Sequence, residues 1–512
     1  MKLNFDPYAI LGVSSNASAD DIKRAYRRLA QRFHPDVNPS KAAHQQFQDI
    51  TTAYNLLSDE SQRRIHDSQV LATRNPDDSY FTLRVTPSKR SIAIINEEQA
   101  LYLLAEIFPA PTSNDAPRPD INLNLTLVLD QSNSMQGSRM ERVKLAAQKI
   151  IDSLGPGDII SVVSFNDRAT VIIPATRVQD KANLRARVSM IKAAGSTEMY
   201  QGLFAGVGQC RKFLGPRLIN HVLLVTDGHT FGDQDRCFEL AEIASREGIG
   251  ISALGLGHDW NDDFLDKLTA LTGGSTSFIS SADVVTRFMD DHVRNLSSAF
   301  AERMFLSVAS DPDVQLMMAF RLAPNPQPLE EQDGRIALSS LQANRPIAIL
   351  LQFTIQENSK PGFRSVARLL VGGDILQNQD QAFRAVSDIS IEAMVSPPSE
   401  EPPNVIMDAL NKLTLYRMQE RARDAMERGD VDEATKRLEY LATRLFELGE
   451  NQLASQAEAE AKFVAKTRAL SDEGRKTLKY STRALISPDG LGDALSSFLA
   501  DISSSSDIED SD

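Results

Sequence analysis

The sequence predicts a multidomain chain: an all-α module, a doubly wound α/β domain inserted in a β-sandwich, and a C-terminal helical region. Three observations carry that prediction. The 512 residues exceed what one hydrophobic core supports, while the 42% hydrophobic content is ordinary for globular material. The period of the apolar positions changes along the chain, from helical spacing to strand-like runs and back to helical spacing. The changes fall at stretches rich in structure breakers: polar 69–78, Pro/Asp-rich 109–120, and "SPPSEEPPN" at 396–404. The segments so drawn are 1–68, a linker at 69–78, 79–120, 121–300, 301–396, 397–486, and an acidic, Ser-rich tail at 487–512 expected to be disordered.

In the first segment, Asp6 and Pro7 read as an N-cap and first helical residue, opening a short helix that stops at Gly12. A longer helix places Ile22, Ala25, Tyr26, Leu29, Ala30 and Phe33 at helical spacing, while Lys23, Arg24, Arg27, Arg28 and Arg32 fall on the other side. One face packs and the other is basic. The tripeptide His34, Pro35, Asp36 ends that helix, because the residue before a proline is pushed out of the α region. A further helix turns Phe47, Ile50, Tyr54 and Leu57 inward and continues through Arg63 and Arg64.

These features, with "DPYAILGV", "IKRAYRRLAQRFHPDVNP" and "AYNLLSD", resemble a J domain, the module that DnaJ-type cochaperones present to a DnaK-type chaperone ATPase. The resemblance implies that Lys23, Arg24, Arg27 and Arg28 attract and orient the chaperone, and that His34, Pro35 and Asp36 engage the region controlling its ATP hydrolysis. No Gly/Phe-rich linker and no repeated CxxCxGxG zinc module follow. Client handling of the usual DnaJ kind is therefore expected to be replaced by something else.

"YFTLRV" and "ALYLLAEIFP" read as strands. From Asn122, the short runs "LNLTLVLD", "DIISVVSF", "HVLLVTD" and "GISALGLG" alternate with helix-length segments, the signature of a parallel sheet covered on both faces. Ligands of such sheets lie at the carboxyl ends of the strands. There "LVLDQSNSM" places Asp130, Ser132 and Ser134, "GSTEMYQG" places Thr197 before a helix, and "LLVTDGH" places Asp227. A carboxylate beside two hydroxyls fits a serine nucleophile, a phosphate cradle or a cup for a hard cation. The first wants Gly-x-Ser-x-Gly with a histidine and an acid, and the second wants glycines and a lysine; neither frame is present. "GLFAGVGQ" and "GLGHDW" match no dinucleotide fingerprint.

The five oxygen-bearing residues resemble the metal-ion-dependent adhesion site of von Willebrand factor A (VWA) domains, over residues 121–300. The resemblance implies Mg²⁺ or Mn²⁺ held directly by Ser132, Ser134 and Thr197, with Asp130 and Asp227 acting largely through waters. A carboxylate of an unknown protein partner would complete the shell. Hydroxyls, carboxylates and retained waters suit Mg²⁺, which loses its own waters reluctantly. Asn133 stands where glycine is frequent in the family, which removes no ligand oxygen.

Residues 301–396 alternate as strands ("RMFLSVAS", "VQLMMAFRLAP", "RPIAILLQFTI", "SVARLLVGG") and read as a β-sandwich completed by strands from 79–108. The arrangement resembles bacterial proteins similar to inter-alpha-trypsin-inhibitor heavy chains. At least three helices follow from 405 to about 485. In one, Asp430 is an N-cap with Glu433 three residues on, and Ala434, Leu438, Leu441, Leu445 and Leu448 form the packing stripe before Gly449.

The first 68 residues hold nine Lys and Arg against eight Asp and Glu, a net of +1, which leaves −15 for the rest of a chain whose formal charge is −14. That balance argues against a nucleic-acid binder. No apolar run long enough for a membrane span and no signal-peptide core occur, so a cytoplasmic protein is expected. Cys210 and Cys237 read as buried, inert thiols. No pairing of nucleophile and base is found, so the expected function is not enzymatic. It is a J-domain cochaperone adaptor that selects a partner through Mg²⁺, or alternatively a metal-dependent scaffold, for example with an AAA+ ATPase, whose J domain is regulatory or vestigial.

Overall fold

The computed structural model describes residues 7–11, 13, 18–35, 41–60, 62–63, 81–109, 122–215, 218–228, 232–279, 285–332, 334–338, 340–342, 345–356, 361–376, 382–399 and 401–486. The expectations placed on Asp6, Gly12, Asp36 and Arg64, on the linker 69–78, on 110–120 and on the tail 487–512 lie outside the described residues.

Helices α1 (Pro7–Leu11), α2 (Ala19–Phe33) and α3 (Lys41–Ser58) form the N-terminal module. A capping box starts α2: Asp21 N–H donates to Ser18 Oγ at 3.2 Å, and Ser18 N–H donates to Asp21 Oδ2 at 3.2 Å. The end of α2 follows the expectation, with His34 in extended backbone before Pro35. Leu11, Ile22, Ala25, Phe33, Ile50, Ala53 and Leu57 make the core, and Tyr26 stacks on Tyr54 at 4.0 Å between ring centroids.

Strands β1 (Phe81–Pro87), β2 (Ser91–Ala93) and β3 (Gln99–Pro109) precede the inserted domain. Within that domain, β4 (Asn122–Asp130) leads to α4 (Ser138–Ser153), β5 (Ile159–Phe165), β6 (Ala169–Arg177), α5 (Lys181–Ser189) and α6 (Met199–Cys210). Then come β7 (Leu218–Thr226), α7 (Gln234–Arg246), β8 (Gly250–Leu256), α8 (Asp262–Ala270), β9 (Thr276–Ile279) and α9 (Val285–Ser297). The sheet order is β6-β5-β4-β7-β8-β9. The four strands expected to run parallel, β4, β5, β7 and β8, do so and β9 joins them, while β6, which the sequence reading did not pick out, is antiparallel to β5. Only Asn166, Asp167 and Arg168 separate β5 from β6, too few residues for a crossover helix, so β6 must return antiparallel. Gly202 and Gly206 of α6 face Phe165 and Val128, where any Cβ would collide, so these two glycines of "GLFAGVGQ" let the helix approach the sheet. Cys210 and Cys237 are buried thiols, and burial pushes the Cys237 thiol well up.

The chain then returns to the sandwich. Its strands are β10 (Ala299–Ser310), β11 (Val314–Ala323), β12 (Gln327–Leu329), β13 (Glu331–Gln332), β14 (Arg335–Ala337), β15 (Leu341–Gln342), β16 (Ile347–Ile355), β17 (Gly362–Ile375) and β18 (Ala382–Met394). One sheet runs β1-β3-β16-β11-β12 and the other β13-β14-β10-β17-β18-β2, with β15 beside β10. Strands from before and after the insertion pair directly: β3 lies antiparallel to β16, with Ile107 opposite Ile347. Leu103, Ile107, Ile349 and Leu351 of one sheet share a core with Leu306, Val366, Leu369 and Val371 of the other.

Four helices complete the chain: α10 (Asn404–Glu427), α11 (Val431–Glu447), α12 (Asn451–Thr467) and α13 (Asp472–Ile486). Glu433 N–H donates to Asp430 Oδ1 at 3.0 Å, the expected cap. Ala434, Leu438, Leu441 and Leu445 are buried, but Leu448 is 59% exposed. It is the C-cap of α11, beyond the last helical turn, so the stripe no longer aims it inward. The N-terminal module and the sandwich form one compact unit, and the α/β domain with the C-terminal helices forms another.

Candidate functional site

Parallel pairing of β4 with β7 sets Leu129 opposite Val225, so Asp130 and Thr226 arrive together at the carboxyl edge of the sheet. Thr226 Oγ1 donates to Asp130 Oδ2 at 2.7 Å, and Ser132 N–H donates to Asp130 Oδ1 at 2.8 Å. The loop after β4 is pinned by three backbone bonds: Gln131 N–H to Phe165 O at 2.8 Å, Asn133 N–H to Gly195 O at 3.0 Å, and Ala194 N–H to Gln131 O at 2.6 Å. These hold the Thr197 loop against the Ser132 loop. Asn133 lies in a right-handed 3₁₀ turn (Asn133–Met135) that any residue adopts, so no glycine is required there.

The hydroxyls of Ser132 and Ser134 are 2.9 Å apart, and Ser134 Oγ donates to Asp227 Oδ1 at 2.7 Å. A Cβ built on Gly228 would stand 3.3 Å from Thr197 Oγ1 and 3.9 Å from Asp130 Oδ2, which brings the fifth residue to the same mouth. All five sequence-expected residues therefore converge. Asp130 and Asp227 are buried, whereas Ser134 is exposed and Thr197 half-buried. Burial raises the Asp130 carboxyl above its usual range, against the bonds from Thr226 and Ser132.

The donor set fits a small, hard cation. It is made only of oxygens, three hydroxyls and two carboxylates, and oxygens around an octahedral Mg²⁺ at about 2.1 Å stand about 3 Å apart along an edge. The spacing of the two serine hydroxyls matches that edge.

Sequence reasoning missed two participants. Thr226 orients Asp130. Arg139, the second residue of α4, donates through Nη1 to Asp227 Oδ2 at 2.7 Å and to Ser134 O at 3.4 Å. A signal was available for it: a cation in the first turn of a helix opposes the helix dipole, so an arginine there requires a partner elsewhere.

On the N-terminal module, Lys23, Arg24, Arg27 and Arg28 are all exposed along α2, and Arg24 pairs with Asp21 of the same helix. At its end His34 stacks edge-on against Phe47 of α3, ring centroids 5.2 Å apart, which fixes the imidazole beside the half-buried Pro35.

Residues 6–67 match the DnaJ domain family, residues 124–290 the von Willebrand factor type A domain family, and residues 404–488 the Sll0103-like, C-terminal alpha-helical domain family. The chain is thus a fusion of a J domain with a VWA domain and a C-terminal helical domain. VWA domains commonly carry a metal-ion-dependent adhesion site. Chaperone protein DnaJ 2 of Mycobacterium bovis is 60% identical over 62 residues, 12% of this chain and 16% of that protein. An uncharacterized protein of Synechocystis, sll0103, is 39% identical over 160 residues, 31% of this chain and 38% of that one. The matches thus span well under half the length of these relatives. A solved von Willebrand factor type A protein from Catenulispora acidiphila shares the fold, with a TM-score of 0.63 at 15% identity over 78% of this chain and 96% of that one. Among the described residues, no helix is long and apolar enough to cross a membrane.

Proposed function

We propose that this chain is a non-enzymatic cochaperone adaptor. Its J domain stimulates ATP turnover by a DnaK-type chaperone, and its VWA domain selects the protein delivered there through Mg²⁺ or Mn²⁺. One observation carries the reading: a single chain joins an exposed basic face ending at His34 and Pro35 to an oxygen-only cluster at the carboxyl edge of a VWA sheet. Lys23, Arg24, Arg27 and Arg28 supply long-range attraction to an acidic chaperone groove and set its orientation. Phe47 presents His34 at a fixed angle to whatever docks there.

In the VWA domain, Ser132, Ser134 and Thr197 would bind the ion directly, while Asp130 and Asp227 hold the hydroxyls and the ion's waters. The bound ion would supply an electrophilic position for a carboxylate of the partner. Thr226 keeps Asp130 aligned for this role.

The test uses the full chain with its cognate DnaK-type chaperone. His34→Gln is expected to abolish stimulation of ATP turnover without changing the helical circular dichroism. Asp227→Ala is expected to leave stimulation intact but to abolish Mg²⁺-dependent capture of a partner. Normal stimulation by His34→Gln sinks the cochaperone assignment. If an AAA+ ATPase is captured in Mg²⁺ and the DnaK-type chaperone is never recovered, the chain is a metal-dependent scaffold instead.

A further inference from the structure

Asp227 is engaged on both oxygens. Ser134 Oγ donates to Oδ1 at 2.7 Å, and Arg139 Nη1 donates to Oδ2 at 2.7 Å. The carboxylate is fully buried, and the arginine side chain is 35% exposed. Behind the guanidinium lies Gly257, at φ +69°; a Cβ there would stand 2.9 Å from Arg139 Nη2 and 3.4 Å from its Cζ, so the glycine leaves the space the guanidinium fills. The second carboxylate of the cluster, Asp130, receives neutral donors, Thr226 and the Ser132 amide.

From this geometry we propose that Arg139 is a resident counter-cation of the metal site, which competes with a divalent ion for Asp227 and so sets the affinity of the site. The inference rests on the metal-binding reading above. A buried carboxylate left alone is costly, and Arg139 removes that cost when no ion is bound. The same guanidinium opposes ion entry, because a divalent ion drawn to Asp227 meets a fixed positive charge at hydrogen-bond distance from it. Entry therefore requires the guanidinium to swing away from Oδ2, toward the solvent that its side chain already reaches. The net charge of Asp130, Asp227 and Arg139 is −1, and removal of the guanidinium makes it −2.

Mn²⁺ titration of the full chain, followed by electron paramagnetic resonance of the free ion, tests the proposal in wild type, Arg139→Gln and Arg139→Lys. Loss of one charged neighbour is expected to tighten Mn²⁺ binding on the order of tenfold or more in Arg139→Gln, with Arg139→Lys between that variant and wild type. Thermal melting gives a second readout. In EDTA Arg139→Gln should melt below wild type, and Mn²⁺ should raise its melting temperature by more than it raises that of wild type. If wild type binds Mn²⁺ and both variants bind it equally or more weakly, the counter-cation role is overturned and the metal site stands. If no form binds Mn²⁺, including an Arg139→Gln protein shown by melting to be folded, the metal-site reading itself falls and this inference with it.

Discussion

His221 on β7, which is buried, and His292 on α9, which is half-buried, meet Nε2 to Nε2 at 3.3 Å within the VWA domain. Burial lowers the His292 imidazole to about 4 and carries His221 well below its usual value, with His292 adding to the effect. The unfolded chain binds a proton near pH 6.5 while the folded pair stays neutral. Stability is therefore complete above pH 6.5 and declines as the pH falls toward 4. For His292 alone the loss is roughly 3 kcal/mol, because each tenfold change in proton affinity is worth about 1.4 kcal/mol. Urea unfolding followed by the fluorescence of the single tryptophan, Trp260, which is buried in the same domain, should show this decline, and His292→Leu should flatten it. An equal slope in the variant would assign the acid sensitivity to other groups. The same contrast governs the candidate metal site. Asp130, Ser132, Ser134, Thr197 and Asp227 were readable because strand ends and residue types alone place oxygens there. The position of Arg139 signals that it needs a partner, but which partner was not readable, because Asp227 is 88 positions away and only the return of β7 beside β4 brings them together.

Two helices of the VWA and C-terminal helical domains are locked by charge. On α13, Arg475, Lys479 and Arg483 recur every four residues, facing Asp262 and Asp266 at the same spacing on α8. Lys479 Nζ lies 2.5 Å from Asp262, 2.9 Å from Asp263 and 3.0 Å from Asp266. Arg475 pairs with Asp262 at 2.6 Å, and Arg483 grips both oxygens of Asp266 at 2.9 and 2.6 Å. Burial alone would raise the Asp262 carboxyl, but Lys479 and Arg475 outweigh it and hold the group below the usual carboxylate range. The neighbouring Lys476 donates to Trp260 O at 2.5 Å, and burial lowers its ammonium to about 8. Removing one member strands buried carboxylates. Lys479→Ala is expected to cost about 3 kcal/mol or more in the Trp260 unfolding transition, whereas Lys462→Ala, which breaks an exposed pair with Glu458, should cost less than about 1 kcal/mol. Similar effects from the two variants would show that the buried network adds nothing. A stripe of cations on a helix normally marks its solvent face, so the sequence directed attention to the apolar stripe and hid this one.

The J domain and the sandwich belong to one compact unit, and a polar network joins them. Arg368 on β17 takes both oxygens of Asp388 on β18, at 2.7 and 2.9 Å, and reaches Asp49 of α3 at 2.8 Å. Gln46 of α3 donates to Asp388 Oδ1 at 3.1 Å and accepts from Ser365 at 3.1 Å. Burial by itself would lower the Arg368 guanidinium, but Asp388 and Asp49 more than compensate and raise it. Arg32, at the end of α2, lies over the Phe363 ring at 5.7 Å, while Lys23, Arg24, Arg27 and Arg28 stay exposed. The J domain is thus held on the sheet with its basic face open. Arg368→Ala is expected to speed amide hydrogen exchange in α3 by about tenfold, the worth of a bond to a charged group, while β4 of the VWA domain exchanges unchanged. Unaltered exchange in α3 would mean that the J domain is held by other contacts.

Periodicity, breakers and short motifs are local properties of the chain, and they were enough to fix the kinds of domain, their order and the residues that crowd the strand ends. Which buried charges neutralise one another was settled by the folded structure alone. Arg139 with Asp227, Lys479 with Asp262 and Arg368 with Asp49 join residues 88, 217 and 319 positions apart. For Arg139, Lys479 and Arg368 the sequence names no partner. Each becomes a structural partner only when the fold brings it to a carboxylate largely withdrawn from water, where loss of a counter-charge is costly.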